Sequence, residues 1–208
     1  MEVQNNIKEV PFAHYEELFK KLDPMDAMDR SGAKYSDGVF SLDFLFNDYK
    51  ITWPEFSVTS SNESAFCLSD LKAKTFLMRI LLEFERRMSL GTFKTFREMS
   101  WGEMYIEPFT GRCIKRAAFT FGTCVPKFCA ASEALGATKI NHGDAGYEFE
   151  VMPGYFIQIL VWEGDDEFPP NSQILYSDNF EGSFAAEDRV VMAEMLITLL
   201  KIKMKELD

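Results

Sequence analysis

Three carboxylates in a row, Asp165, Asp166 and Glu167, form a group of side chains that could carry chemistry. The Pro169-Pro170 pair that follows favours extended backbone, which would place Asp165 and Glu167 on one side and Asp166 on the other. Two carboxylates at close range repel each other unless a cation lies between them or one is protonated. The run therefore predicts a site for a hard metal ion such as Mg²⁺ or Ca²⁺, a general acid–base pair, or a docking point for Arg or Lys.

A solvated turn is the alternative for the same run. In such a turn Asp165 or Asp166 accepts hydrogen bonds from backbone N–H groups, and runs of charge are usually solvated. Trp162 stands just before the run and could line a ligand pocket beside the carboxylates, although tryptophan more often packs in a core. Trp162 and the three carboxylates make up the first candidate ligand or metal site.

His142 and Asp144 form a second candidate group, in the glycine-containing loop 141–146. The two side chains could share a metal ion, or act as a base and the carboxylate that orients it. The alternative is that Asp144 caps a turn while His142 faces solvent. Because a sheet strand follows the loop, we expect this group to lie near the acidic run.

Arginines supply a third kind of candidate. Arg30 and Arg97, and with them Arg112, could hold an anionic ligand through their bidentate guanidinium groups or form ordinary ion pairs. The sequence has no phosphate-binding loop, dinucleotide-binding fingerprint, nucleophile elbow or zinc-protease motif. We assign no cofactor from the sequence.

Length and charge limit the classes of protein that fit. The chain has 208 residues, 47% of them hydrophobic, which suits one globular domain over residues 1–208. The formal net charge of -11 disfavours nucleic acid and anionic membrane surfaces as partners. No apolar run has the length of a membrane span, and residues 1–10 lack the regions of a signal peptide, so we expect a cytoplasmic protein.

The four cysteines are Cys67, Cys113, Cys124 and Cys129. Their spacing is not that of zinc or iron–sulfur ligands, and a cytoplasmic chain with a full core seldom relies on disulfides. We therefore expect buried free thiols.

Hydrophobic periodicity predicts the elements of the first half of the chain. Pro11, Tyr15, Leu18, Phe19 and Leu22 recur at helical spacing, and a second short helix follows with Asp23 as N-cap, Pro24 at its first position and Gly32 at its end. Alternating Phe40, Leu42, Phe44 and Phe46 predict a strand, Asn47-Asp48 a turn and 49–53 a second strand. Residues 69–88 have one apolar stripe, which predicts a central helix that includes Met88.

The second half mixes hairpins and helices. Residues 91–109 read as a pair of short extended segments around 100–102. Helices are expected over 112–122, ending at Gly122, and over 125–136, with Pro126 near the start and Gly136 at the end. A hairpin turns at Pro153-Gly154, and its second arm, 155–162, is apolar enough for a central strand. A long helix from about residue 185 closes the chain. The fold class is α+β: one mostly antiparallel twisted sheet built from hairpins and packed by N-terminal, central and C-terminal helices.

Several motifs resemble, in order, those of a bacterial and archaeal family, domain of unknown function 3786. They are RSGAKY, FREMSWGEMY, FG at 121–122, EALG at 133–136, GDAGYEFEVMPGYFIQILVWEGDDEFPPNSQILY and AAEDRVVMAEMLI. Within the most specific stretch, the positions that match the pattern are Gly164, Asp165, Glu167, Phe168 and Pro169. The resemblance implies no specific activity. It implies an anaerobic setting linked to corrinoid or one-carbon metabolism, in which some relatives carry an iron–sulfur motif that this chain lacks.

Two functional hypotheses follow. The first is a ligand-binding or accessory module with a small-molecule or protein partner, since no known catalytic constellation is present. The second is a metal-dependent or acid–base enzyme that uses Asp165 and Glu167. The sequence assigns no oligomeric state.

Overall fold

The computed structural model describes residues 12–207, which divide into two compact units, the first ending at Arg86 and the second beginning at Arg87. Each unit combines helices with one antiparallel sheet, so the α+β class is confirmed. The strands form two sheets rather than the one expected, because hairpins pair with their neighbours in sequence within each unit. The single domain remains a prediction, and Pro11 lies outside the described residues.

The first unit opens with the two predicted helices. Asp23 caps the second one by accepting from the N–H of Met25 at 2.9 Å, and Gly32 ends it in the left-handed conformation, with φ at 73°. A four-stranded meander in the order β1-β2-β3-β4 and two further helices follow. The elements are α1 (Phe12–Lys20), α2 (Pro24–Ser31), β1 (Lys34–Ser36), β2 (Val39–Phe44), β3 (Asn47–Thr52), β4 (Ser57–Thr59), α3 (Phe66–Ser69) and α4 (Leu71–Glu83).

Two predictions for this unit were wrong in detail. The β2–β3 turn is formed by Leu45 and Phe46, both with positive φ, and Asn47 already begins β3. Leu45 is fully buried, so burial outweighs the preference of such turns for Asn and Gly. The central helix ends at Glu83, and Met88 lies outside it and is exposed.

The second unit is built on a five-stranded sheet in the order β5-β9-β8-β7-β6, with every neighbouring pair antiparallel. The hairpin at Pro153-Gly154 and the central position of β8 are confirmed. The elements are β5 (Phe93–Thr95), a 3₁₀ turn (Phe96–Glu98), α5 (Gly102–Phe109), a π-helical segment (Thr110–Lys115), α6 (Arg116–Phe121), α7 (Val125–Ala134), β6 (Thr138–Ile140), β7 (Ala145–Met152), β8 (Tyr155–Trp162), β9 (Asn171–Ser177), α8 (Phe180–Ser183) and α9 (Ala186–Glu206).

Residues 91–109 are the main error in the second unit. Phe93–Thr95 is extended as predicted, but residues 102–109 form helix α5. The chain enters α5 through Trp101, which has a positive φ of 64°, and Gly102 lies so close to the Phe96 carbonyl that a β-carbon there would be 2.1 Å from its oxygen. This close packing, rather than local periodicity, sets the start of the helix.

The core of the second unit is formed by its sheet, by α9, and by the π-helical segment, α6 and α7, which contact both. Helix α9 is buried along most of its length, and Arg189, in its second turn, has a side chain only 1% exposed. Cys67 and Cys113 are buried free thiols as expected, whereas Cys124 and Cys129 are free and half-buried. Among the described residues, none of the helices has both the length and the apolar character needed to cross a membrane.

Candidate functional site

The acidic run lies in the loop between β8 and β9 and forms a turn. The Asp165 side chain accepts from the N–H of Glu167 at 2.8 Å and from the N–H of Phe168 at 2.7 Å, while its own N–H donates to the Phe168 carbonyl at 2.9 Å. The backbone bends through residues 166–168 and does not stay extended. The expectation that Asp165 and Glu167 share one side of a strand is therefore wrong, because local hydrogen bonds to Asp165 replace strand geometry.

The same hydrogen bonds decide what Asp165 can do chemically. Donation from the backbone N–H groups of Phe168 and Glu167 lowers the pKa of the Asp165 carboxyl. A carboxylate stabilised in its ionised form is a weak general base. Among the described residues no group of three or more His, Cys, Asp or Glu side chains is arranged to hold a metal ion. The geometry thus favours the turn over the metal and acid–base alternatives.

Two glycines let the base of this loop pack against α6. The N–H of Gly164 donates to the Gly122 carbonyl at 3.3 Å. A β-carbon on Gly164 would lie 2.6 Å from Cδ of Pro170, and one on Gly122 would lie 2.7 Å from Cβ of the same proline and 2.8 Å from the Trp162 carbonyl oxygen. Trp162 itself is half-buried, at the last position of β8. The tail of the loop is therefore fixed by packing as well as by its prolines.

The loop with His142 and Asp144 does lie beside the acidic run. Asp144 accepts from the N–H of Glu163 at 2.8 Å through its carboxylate, and its own N–H donates to the Val161 carbonyl at 2.9 Å. His142 is exposed. Asp144 thus holds the backbone just after β8 in place, through a contact across strands rather than the turn cap of that alternative.

An exposed surface remains at this end of the unit, and we call it the acidic-aromatic tip. Phe168 is 66% exposed although it lies in a fixed turn, and Phe119 on α6 is 59% exposed one helical turn before Gly122. The acids beside Phe168 are exposed as well. The tip consists of Glu163, Asp166, Glu167 and Phe168, and Phe119 lies on the helix against which its base packs. Sequence reasoning missed Phe119, since no motif or periodicity in the sequence indicates that this side chain is exposed.

The arginine candidates form ion pairs or cap helices. Arg30 donates to the carbonyls of Leu81 and Phe84, both at 2.8 Å, and so satisfies the carbonyl end of α4. Arg97 lies 3.5 Å from the Glu103 carboxylate, with both side chains exposed. The Arg97 contact is an ion pair, as that alternative describes, whereas Arg30 has a 3.4 Å pair with Asp26 and uses the rest of its guanidinium on backbone carbonyls, a role that neither alternative included.

Arg112 binds two acids of α9. Its guanidinium donates to both carboxylate oxygens of Glu194, at 2.8 and 2.7 Å, and to Glu187 at 2.6 Å. Glu187 and Glu194 lie seven residues apart, on one face of the helix. The arginine therefore joins the π-helical segment to α9. Because all three of its guanidinium nitrogens donate to these two acids, the group is not available to bind another anion.

Comparison with known proteins identifies a family and no individual relative. No curated protein matches the chain, and no solved structure matches it. One family model matches residues 23–199, which covers most of both units. The chain therefore belongs to the family described as domain of unknown function 3786.

Proposed function

We propose that the chain is a non-enzymatic binding module whose acidic-aromatic tip docks a protein partner. The observation that carries this proposal is the 66% exposure of Phe168 in a turn that Asp165 and the prolines hold rigid. A backbone already held in one turn has little conformational entropy left to lose on binding, and an aromatic side chain has only two torsion angles to order, which makes Phe168 a good interface anchor.

The charge of the tip indicates the chemistry of the partner. Asp166, Glu167 and Glu163 are exposed around Phe168, on a chain with a net charge of -11. Such a surface attracts Lys and Arg and speeds encounter with a basic patch. The partner we propose has an apolar pocket for Phe168 with basic side chains at its rim.

The setting is part of the same proposal. The role we propose lies in the anaerobic corrinoid or one-carbon metabolism that the resemblance implies, in the cytoplasm of a bacterial or archaeal cell. In a second form of the proposal, the module also binds a small-molecule ligand from that metabolism and carries it to the protein partner.

Cross-linking from the tip tests the proposal. A photoreactive phenylalanine at position 168 should capture one dominant protein from cells that produce the chain, identified by mass spectrometry. The purified pair is then measured by calorimetry. Phe168→Ala should weaken binding by about tenfold or more, and Asp166→Asn with Glu167→Gln should reduce its salt dependence. A partner that binds Phe168→Ala as well as the parent chain would refute docking at the tip.

Asp165→Asn separates binding from the enzyme hypothesis. Asparagine retains an oxygen that can accept the turn hydrogen bonds but carries no charge. A binding module should keep its partner affinity with this variant, whereas an acid–base or metal enzyme that depends on the Asp165 charge should lose turnover. A thermal-shift screen with corrinoids, flavins, divalent metals and one-carbon cofactors covers the small-molecule variant; the absence of any shift would count against it.

A further inference from the structure

Trp101 is an exposed residue in an unfavourable backbone conformation. Its φ of 64° is left-handed, a region that glycine adopts freely and that side-chain-bearing residues avoid. Its side chain is 61% exposed, so core packing does not explain why tryptophan stands there. A large aromatic residue held in this way needs another reason, and strained residues cluster at binding and active sites.

The residues on either side of Trp101 are fastened by the rest of the second unit. Ser100 donates its N–H to Glu181 at 2.9 Å and its hydroxyl to the same carboxylate at 2.7 Å. The buried Arg189 donates to the Ser100 carbonyl. On the other side, Gly102 packs against the Phe96 carbonyl. The position of the Trp101 backbone is therefore determined from both ends, and its indole is presented to solvent.

Further apolar side chains extend from Trp101 along α5. Met104 and Tyr105 lie four and three residues before Pro108, the spacing of neighbours on one side of a helix, and Trp101 immediately precedes the first residue of α5. Met104 is 57% exposed, Pro108 is exposed and Tyr105 is half-buried. We call these four residues the Trp101 stripe.

Acidic side chains border the stripe. Glu103 and Glu107 lie on α5 itself, and Glu98 lies in the 3₁₀ turn before it; all three are exposed. Two cations lie near these acids: Arg97 lies 3.5 Å from Glu103, and Lys94, which acts on Glu98, is paired with Glu181 at 2.6 Å. A second copy of the chain would bring the same acids against each other across a two-fold axis. The charge complements a basic partner instead.

We infer that the Trp101 stripe is a docking surface for an amphipathic helical segment of a protein partner, with apolar side chains at helical spacing flanked by Lys or Arg. Such a segment would cover Trp101 and Met104 with its apolar face and pair its basic residues with Glu103 and Glu107. This inference does not rest on the acidic-aromatic tip, which involves other elements of the unit.

Selection from a displayed library of random peptides of about 16 residues, or about four helical turns, tests the inference. Enriched peptides should have apolar residues three and four apart with Lys or Arg beside them. A selected peptide should shift the Trp101 indole N–H signal in an NMR spectrum, assigned with Trp101→Phe, and Met104→Ala should weaken its binding. Enrichment of acidic peptides, no enrichment, or a shift confined to the other two indoles would overturn the inference.

Trp101→Gly distinguishes docking from a structural role, because glycine fits the left-handed backbone. We expect this variant to melt at a higher temperature than the parent chain and yet bind the selected peptide about tenfold or more weakly. Unchanged peptide affinity would overturn the inference. A lower melting temperature would also overturn it, since tryptophan would then serve the fold. Phe168→Ala should leave the affinity for the selected peptide unchanged. The test of docking at the Trp101 stripe is therefore independent of the test of docking at the acidic-aromatic tip.

Discussion

The guanidinium of Arg189 donates to the carbonyl oxygen of Ser100, the residue immediately before the exposed Trp101. Arg189 is 1% exposed, lies 5.5 Å from the centre of the Phe96 ring, and has one nitrogen, Nη1, without a hydrogen-bond partner among the described residues. Burial lowers the pKa of its guanidinium. Burying this charged side chain costs the free energy of its hydration. In the core, Arg189 links helix α9 to the loop that presents the Trp101 stripe.

Arg189→Met should loosen that loop. The substitution keeps most of the buried volume but removes the hydrogen bond to the Ser100 carbonyl, and we expect a loss of about 1 kcal/mol in the free energy of unfolding. Urea unfolding measures this loss. Amide hydrogen exchange at residues 100–102 should speed up more than exchange in the central strand β8. Equal exchange in the variant and the parent chain would mean that Arg189 does not hold the loop.

Gly122→Ala should destabilise the base of the acidic-aromatic tip. The new methyl group would meet Cβ of Pro170 at 2.7 Å and the Trp162 carbonyl oxygen at 2.8 Å, and overpacking of this kind costs about 1–3 kcal/mol. Gly111→Ala is the matched control, because its methyl group has no neighbour within 4 Å and alanine favours helix. We expect the control to be as stable as the parent chain or more stable in thermal unfolding. Equal effects of the two substitutions would contradict the packing described.

Stability should fall in mild acid because of Glu181. Hydrogen bonds from Lys94 and Ser100 lower the pKa of this carboxyl from its ordinary 4.5 to about 2. Between these two values the unfolded chain binds a proton that the folded chain does not, so the stabilising contribution of Glu181 is complete above pH 4.5 and is lost as the pH falls towards 2.

Comparison with Glu181→Gln isolates this contribution. The difference in unfolding free energy between the parent chain and the variant should shrink from about pH 5.5 to about pH 3, measured by urea denaturation. A difference that stays constant with pH would show that Glu181 does not titrate as described.

Arg112→Lys should cost stability although the charge is kept. Lysine cannot donate to both oxygens of Glu194 and to Glu187 at once, so we expect a loss of about 1–2 kcal/mol in the free energy of unfolding. Arg97→Lys is the control: its pair with Glu103 is exposed, and the change should cost less than about 0.5 kcal/mol. Chemical denaturation of the two variants side by side measures both. Equal losses of stability in the two variants would mean that the bidentate hydrogen bonding of the Arg112 guanidinium has no special role.

Elements fixed by nearby residues could be predicted from the sequence. The cap at Asp23, the left-handed end at Gly32 and the turn at Pro153-Gly154 each depend on residues within a few positions. Helix α5 was not predicted, because its start combines the packing of Gly102 against the Phe96 carbonyl with contacts that reach Ser100 from Glu181 and Arg189, far along the chain.

In the candidate site, too, contacts between nearby residues could be predicted from the sequence and contacts between distant segments could not. Hydrogen bonding by Asp165 within its own turn was one of the alternatives that its sequence neighbours left open. What excluded an extended run was the bend, together with packing of Pro170 on Gly122, a contact between distant segments. The exposure of Phe119 and Trp101 was equally out of reach, since periodicity gives the face of an element but not what covers it.

Both sheets end on strands of only three residues, β1 and β4 in the first unit and β5 and β6 in the second. Short edges offer few free backbone groups to the strands of another molecule, and Lys94 and Lys139 add charge to the two edges of the second sheet. The apolar strand Tyr155–Trp162, which resembles the segments that stack into fibrils, is enclosed between β7 and β9. The chain thus keeps the segment with the greatest tendency to self-associate where a neighbouring molecule has least access to it.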